Sequence, residues 1–160
     1  DAVARVAAKR PVGLVLIGNG HQQASIIEHV NGNPHIQLLE PVRNRTALAT
    51  IMASCDALVH GSSAETFGLV ASEALASGLP LILPNAGAVA DIAYPDFSET
   101  YTPGNAHDAA LAVVRLLDRD QHQLRLASNR AAATARTLDD HFADLFRTYA
   151  NAISEKREAA

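Results

Sequence analysis

Two glutamates, Glu65 and Glu73, frame the segment of the sequence that is best suited to bind a ligand. Glu65 falls in a loop behind an apolar run that predicts a buried strand, and Phe67 opens the helix predicted next. The first N–H groups of a helix lack internal partners and carry the positive end of its dipole, so they bind anions. Gly68 removes a side chain where a phosphate would approach the backbone. Glu73 falls about one and a half turns into the helix, where its carboxylate can accept hydrogen bonds from two adjacent hydroxyls.

Each of these residues also has an ordinary structural interpretation. A single glutamate in a helix is most often solvated or part of a cap. His60 ends a predicted strand, where contact with a ligand and a purely structural role are equally open. His21 lies in a predicted ligand loop, but a role as a helix N-terminal residue is favoured. The other histidines lack metal-ligand spacing, so no bound metal is predicted.

The bulk composition narrows the function classes. The 160 residues suit one domain over the whole range 1–160, and 48% hydrophobic with 19% charged residues is typical of a globular chain. A formal net charge of −4 argues against nucleic-acid binding. Cys55 stands alone, which excludes an internal disulfide. No apolar run reaches the roughly 20 residues that cross a bilayer, and we expect no signal peptide.

Short apolar runs alternate with amphipathic segments, which predicts βαβ units: an α/β fold with a parallel sheet and helices on both faces. The predicted strands are Val12–Ile17, Ile36–Leu39, Ala57–His60, Leu79–Leu83 and Glu99–Thr102. The predicted helices are Asp1–Arg10, His21–Val30, Arg45–Ser54, Phe67–Ser77, Ala88–Ala93, Ala106–Leu117, Asp120–Thr134 and Leu138–Ser154.

Two details of this pattern predict where the core and the ligand lie. The first strand does not alternate, which indicates burial on both faces, and Ile26, Ile27 and Val30 of the next helix should point inward. In such sheets ligands bind beyond the carboxyl ends of the strands. Three loops rich in small and polar residues should converge there: Gly18–His21, Gly61–Ala64 and Pro84–Ala88.

The stretch from Glu65 to Glu73 resembles the signature of the retaining glycosyltransferases of family four, the group 1 enzymes with a GT-B fold. That signature has two glutamates, separated by seven residues, that enclose Phe-Gly. The resemblance covers the chain from about Val12 to Tyr149 and implies the Rossmann-like, C-terminal, donor-binding half of a GT-B fold. Further matching segments are Leu14–Gly20, Ser54–Val59, Glu73–Ile82 and Tyr101–Asn105.

The resemblance implies roles for individual residues. Glu65 would be the catalytic residue, contacting hydroxyls of the transferred sugar and stabilising charge there. Glu73 would hold the ribose hydroxyls of a nucleotide-diphosphate sugar, and no metal or cofactor is implied. The remaining donor-binding residues would act largely through backbone groups: Gly18, Asn19, Gly20, Val42, Ser62, Phe67, Gly68, Leu69, Val70 and Gly87.

Some family features do not match. Asn19 stands where the family has Asp, Ala88 where it has Gly, and Asp91 where it has Glu. Family members also carry an N-terminal acceptor domain, followed by an Arg and a Lys that grip the diphosphate, and no segment here resembles these. We therefore expect a fragment of a longer cytoplasmic enzyme, one that binds its donor weakly and does not transfer sugar alone. Association with the inner membrane face would depend on the acceptor domain.

The last predicted helix has apolar positions that would normally face the acceptor domain, which raises the prospect of self-association. These positions are Leu145, Phe146, Tyr149 and Ile153.

Three functions stay open at this point. The chain would be part of a hexosyltransferase, a non-catalytic sugar-nucleotide-binding or regulatory module, or a GT-B relative of the epimerase type. The spacing of Glu65 and Glu73 around Phe67 and Gly68 favours the first function over the third.

Overall fold

Parallel strands alternate with helices, as the sequence predicts for an α/β fold. The computed structural model describes residues 1–62, 65–134 and 138–158. The strands are β1 (Leu14–Ile17), β2 (Ile36–Leu39), β3 (Leu58–Val59), β4 (Leu81–Pro84) and β5 (Ser98–Tyr101). Every ladder between them is parallel. Among the described residues the ladders form two groups, β1–β2 and β3–β4–β5.

Side-chain caps explain where three of the helices begin. The amide oxygen of Asn44 accepts from Ala47 N–H, that of Asn105 from His107 and Asp108, and the carboxylate of Asp120 accepts from Gln123. No described helix is both long and apolar enough to cross a membrane. The helices are α1 (Ala2–Ala7), α2 (Gln23–Val30), α3 (Arg45–Ala53), α4 (Leu69–Ala76), α5 (Ala106–Leu117), α6 (Gln121–Ala133) and α7 (Leu138–Glu158), and a short 3-10 helix covers Ala88–Ile92.

Strand β4 is the centre of the core, and helices cover both of its faces. Leu81 and Leu83 pack into one cluster with α4, where the fully buried Ala71 and Ala74 let the helix lie close to the strand. Ile82 points the other way, into a cluster with α1 and α5. This alternation of side chains along a strand places a layer of helices on each side of the sheet.

The predicted start of α4 is wrong by two residues. We predicted a helix from Phe67, whereas the structure begins it at Leu69. Gly68 has φ 64° and ψ 31°, a left-handed conformation that does not continue into a right-handed helix. Gly68 therefore caps the helix instead of belonging to it.

The predicted burial of β1 and α2 is also wrong. Burial along β1 alternates between intermediate and exposed, and Val15 is 38% exposed. Ile26 and Ile27 of α2, expected to point inward, are exposed as well, and Val30 is half-buried. The physical reason is the small size of the β1–β2 sheet, which is hydrogen-bonded to no other described strand and offers little surface for a helix to cover.

Candidate functional site

Glu65 lies in the turn between β3 and α4, as predicted, and its carboxylate folds back over that turn. Its Oε1 accepts hydrogen bonds from the backbone N–H of Thr66 at 3.0 Å and of Phe67 at 3.3 Å. The two residues before it, Ser63 and Ala64 of the predicted ligand loop, lie outside the described residues. One carboxylate oxygen of Glu65 is thus held by the backbone of its own turn.

These N–H groups also set the charge of the side chain. The pKa of the Glu65 carboxyl lies below its ordinary value because the backbone N–H of Phe67 donates to the charged form, followed by that of Gly68. The N–H of Thr66 and the proximity of His60 act in the same direction. Glu65 is therefore a carboxylate near neutral pH, so it can accept hydrogen bonds but cannot donate one.

His60 approaches the other oxygen of the same carboxylate. Its Nε2 lies 3.5 Å from Glu65 Oε2, and the imidazole is buried, with 7% of the side chain exposed. The backbone oxygen of His60 accepts a hydrogen bond of 2.6 Å from the Tyr101 hydroxyl, which is buried too. His60 therefore has a structural role and also touches the predicted catalytic residue.

The first backbone N–H groups of α4 have no acceptor among the described residues. No described residue accepts from the N–H of Leu69 or Val70, as expected for the first turn of a helix. Phe67 differs from the prediction, because its N–H already donates to Glu65. Gly68 is buried, and a Cβ built on it would stand 3.1 Å from Cγ1 of Val89. The 3-10 helix thus leaves little room for a side chain at the position where α4 begins.

Glu73, the fifth residue of α4, has a partner that the sequence did not reveal. Arg45 opens α3, and its Nη2 lies 3.6 Å from Glu73 Oε1. The side chain of Arg45 is 93% exposed, and that of Glu73 is 44% exposed. The sequence did contain a signal for this partner, because Arg45 directly follows the loop that includes Val42, one of the predicted donor-binding residues.

The predicted loop residues divide between two places. Gly87, with φ 76°, would bring a Cβ to 3.8 Å from the backbone N and O of Glu65, and Ala88 N–H donates to Glu65 O at 3.4 Å. The loop after β4 therefore meets the Glu65 turn, as predicted. Ser62 follows β3 at intermediate burial.

The other predicted donor loops belong to the β1–β2 sheet. Gly18, Asn19 and Gly20 follow β1 and are exposed, and Val42, after β2, is half-buried. No hydrogen bond of the described residues joins Gly18–Gly20 to the Glu65 turn. The convergence of all three loops on one crevice stays a prediction.

The site contains carboxylates and backbone donors, but no metal-binding set of side chains is seen. In the part of the chain that the structure describes, no three His, Cys, Asp or Glu side chains are arranged so that they could hold a metal ion. The carboxylates of Glu65 and Glu73 can accept hydrogen bonds from hydroxyl groups. The N–H groups of Leu69 and Val70 can donate hydrogen bonds to an anion.

Comparison with known proteins adds family and fold. Residues 1–133 match the family described as Glycosyl transferases group 1. Over 133 residues the chain is 32% identical to the "GDP-mannose-dependent alpha-mannosyltransferase" of Mycobacterium tuberculosis (strain CDC 1551 / Oshkosh), a match that covers 82% of this chain and 34% of that protein.

Two solved structures share the fold. Anabaena HepE in complex with UDP matches with a TM-score of 0.75 at 19% identity, over 94% of this chain and 44% of that one. The C-terminal domain of a group 1 glycosyl transferase (LpcC) from Francisella tularensis matches with a TM-score of 0.70 at 20% identity, over 86% of this chain and 76% of that one. The fold is thus that of the C-terminal half of GT-B proteins, and the chain belongs to the family of group 1 glycosyl transferases.

Proposed function

We propose that this chain is the donor-binding domain of a retaining hexosyltransferase that takes a sugar from a nucleoside-diphosphate sugar. The observation that carries this proposal is the geometry of the turn before α4. The turn offers a carboxylate held on one oxygen by its own backbone, and the helix offers N–H groups without an acceptor among the described residues, followed by a second carboxylate. These groups are complementary to a sugar, a diphosphate and a ribose.

The diphosphate would lie at the beginning of α4. The N–H groups of Leu69 and Val70 have no described acceptor, and the helix dipole adds a positive potential there. Gly68 presents no side chain that would stand between the ligand and this backbone. The exposed apolar side chains of Phe67, Leu69 and Val70 support the proposal, because a bound ligand or a facing domain would cover them.

Glu65 would bind the transferred sugar. A carboxylate offers about four acceptor positions, and Oε1 already uses its two for Thr66 and Phe67. Oε2, to which neither of these two groups donates, contacts His60 and would accept a hydrogen bond from a sugar hydroxyl. A negative charge fixed beside the sugar ring would also stabilise the positive charge that develops as the bond to the leaving diphosphate breaks.

We propose GDP-mannose as the donor to test first. The relative that is 32% identical carries GDP-mannose in its name, whereas the structure with UDP is only 19% identical. The Val42 loop would contact the base through backbone groups, and Glu73 would hold the ribose hydroxyls. Arg45 beside Glu73 supplies one positive charge on that side of the site.

We also propose that a second domain supplies the acceptor. The match covers only 34% of the related mannosyltransferase, so most of that protein has no counterpart in the chain. The isolated chain would then bind its donor weakly and transfer no sugar. Turnover by the isolated chain at the rate of a full-length enzyme would contradict this.

Calorimetric titration with GDP-mannose, GDP, UDP and ADP tests the proposal directly. We expect the unaltered chain to bind GDP-mannose and GDP. Glu73→Ala should abolish this binding. Glu28→Ala, which removes a glutamate from α2 outside the candidate site, should retain it. Binding without transfer by the full-length protein would favour the non-catalytic module. Conversion of the nucleotide sugar to its epimer, followed by NMR, would favour the epimerase-type alternative.

A further inference from the structure

His60 and the turn backbone approach the two oxygens of the Glu65 carboxylate from two different elements. Oε1 is held by the N–H groups of Thr66 and Phe67 in the turn itself. Oε2 faces Nε2 of His60, which ends β3, at 3.5 Å. A carboxylate restrained at one oxygen still rotates about that contact, whereas restraint at both oxygens fixes its plane.

The fold holds His60 firmly enough to serve as the second restraint. Its side chain is 7% exposed, so it has little freedom to turn away. The Tyr101 hydroxyl donates to the backbone oxygen of His60 at 2.6 Å, and Tyr101 is part of the core cluster that includes Ile82. The contact to Glu65 therefore connects the site to the packed interior.

The surroundings of the ring select which nitrogen carries the proton. A lone pair on Nε2 would repel the nearby carboxylate oxygen, so Nε2 must bear the hydrogen. Nδ1 is buried and has no hydrogen-bond partner among the described residues. An unpaired acceptor nitrogen is tolerated better in the interior than an unpaired N–H donor, which leaves Nδ1 without a proton.

We propose that His60 is the positioning residue of Glu65: its Nε2–H donates to Oε2 and orients that oxygen towards the sugar of the donor. The proposal rests on the proposed function for its purpose, because only a sugar contact makes the orientation of this carboxylate matter. The hydrogen bond itself is independent of that function and is tested separately.

The first test needs no ligand. In nitrogen NMR of the 160-residue chain, we expect the His60 proton on Nε2, and a proton on Nδ1 would overturn the proposal. The variants His60→Gln and His60→Asn differ by one methylene, and only the glutamine amide reaches the position of Nε2. Carbon NMR of the Glu65 carboxyl should show its pKa unchanged in His60→Gln and moved towards its ordinary value in His60→Asn. An equal pKa of the Glu65 carboxyl in both variants would also overturn the proposal.

The second test separates positioning from general damage. We expect His60→Asn to weaken GDP-mannose binding by about threefold to tenfold with the affinity for GDP unchanged, and His60→Gln to restore it. Equal weakening of both ligands would assign His60 a merely structural role. If neither ligand binds the unaltered chain, the proposed donor is wrong, and the nitrogen and carboxyl measurements still decide the role of His60.

Discussion

The guanidinium of Arg45 lies 3.6 Å from the carboxylate of Glu73, so the first residue of α3 is joined to the middle of α4 across the site. An ion pair this exposed contributes about 0–1 kcal/mol to stability. Its charge, however, lies on the side of the site where we propose that the nucleotide binds. The pair therefore has more bearing on ligand affinity than on folding.

Replacing Arg45 with alanine should weaken nucleotide binding without destabilising the fold. We expect Arg45→Ala to lower the affinity for GDP by up to about fivefold at low salt, and the difference to shrink as salt screens the charge. The midpoint of thermal unfolding should hardly change. Calorimetry at two salt concentrations measures the effect, and Arg43→Ala in the preceding loop is the matched control. An equal loss in both variants would assign the effect to net charge.

Much of the fold could be predicted because periodicity is a local property. Apolar runs marked the strands, and caps such as Asn44 and Asn105 marked where helices begin. The start of α4 could not be predicted, because the left-handed conformation of Gly68 interrupts the helix and the spacing of the apolar residues does not indicate it. The exposure of Val15 was missed for a related reason: burial depends on which strands pair, and the pattern of one strand does not contain that.

The candidate site could be predicted in part for the same reason. Glu65 lies three residues before Gly68 and Glu73 lies five residues after it, so local geometry places both near the beginning of one helix. The partners that orient them, His60 and Arg45, come from β3 and α3. Those contacts depend on tertiary packing, and the sequence spacing carries no information on them.

Acid should destabilise the fold partly through Glu65. The pKa of Glu65 is lowered by folding because the Phe67 N–H donates to the carboxylate, so ionised Glu65 adds stability above its ordinary value of 4.5. That stability is lost as the pH falls from this value through the lower, folded pKa. Thermal unfolding followed over this range should show a smaller loss in Glu65→Gln than in the unaltered chain.

Asp108 provides the comparison for this measurement. Its pKa is also lowered, by the backbone N–H of Thr102, which donates to Oδ2 at 2.7 Å. Asp108→Asn should therefore reduce the acid sensitivity in a lower pH range, below the ordinary value of 3.8. If Glu65→Gln unfolds with the same pH dependence as the unaltered chain, the hydrogen bonds to Oε1 are not formed in solution.

A side chain at Gly68 should damage both the fold and the site. Gly68 has φ 64° and Gly32 has φ 75°, so alanine at either position meets the left-handed penalty of about 1–2 kcal/mol. Only at Gly68 does the added Cβ meet a neighbour, Val89 Cγ1 at 3.1 Å, whereas Gly32 is open. Gly68→Ala should therefore destabilise more than Gly32→Ala in denaturant unfolding, and it alone should lower donor affinity. Equal losses of unfolding free energy in the two variants would show that the Val89 side chain moves aside for the added Cβ without a measurable cost.

The exposed apolar face of α7 should make the isolated chain associate with itself. Phe142, Phe146, Tyr149 and Ile153 recur at helical spacing and are all about half exposed or more, and the rings of Phe142 and Phe146 stack at 6.3 Å. Burying such a face against a second copy releases water from apolar surface, which favours association. Sedimentation over a range of concentrations should therefore show dimers or larger species, and Phe146→Glu should shift them to monomer.

Leu111→Glu on α5 is the control, because it introduces the same charge at another exposed apolar position and should leave the association unchanged. A chain that sediments as a monomer at every concentration would show that the apolar face of α7 does not drive self-association.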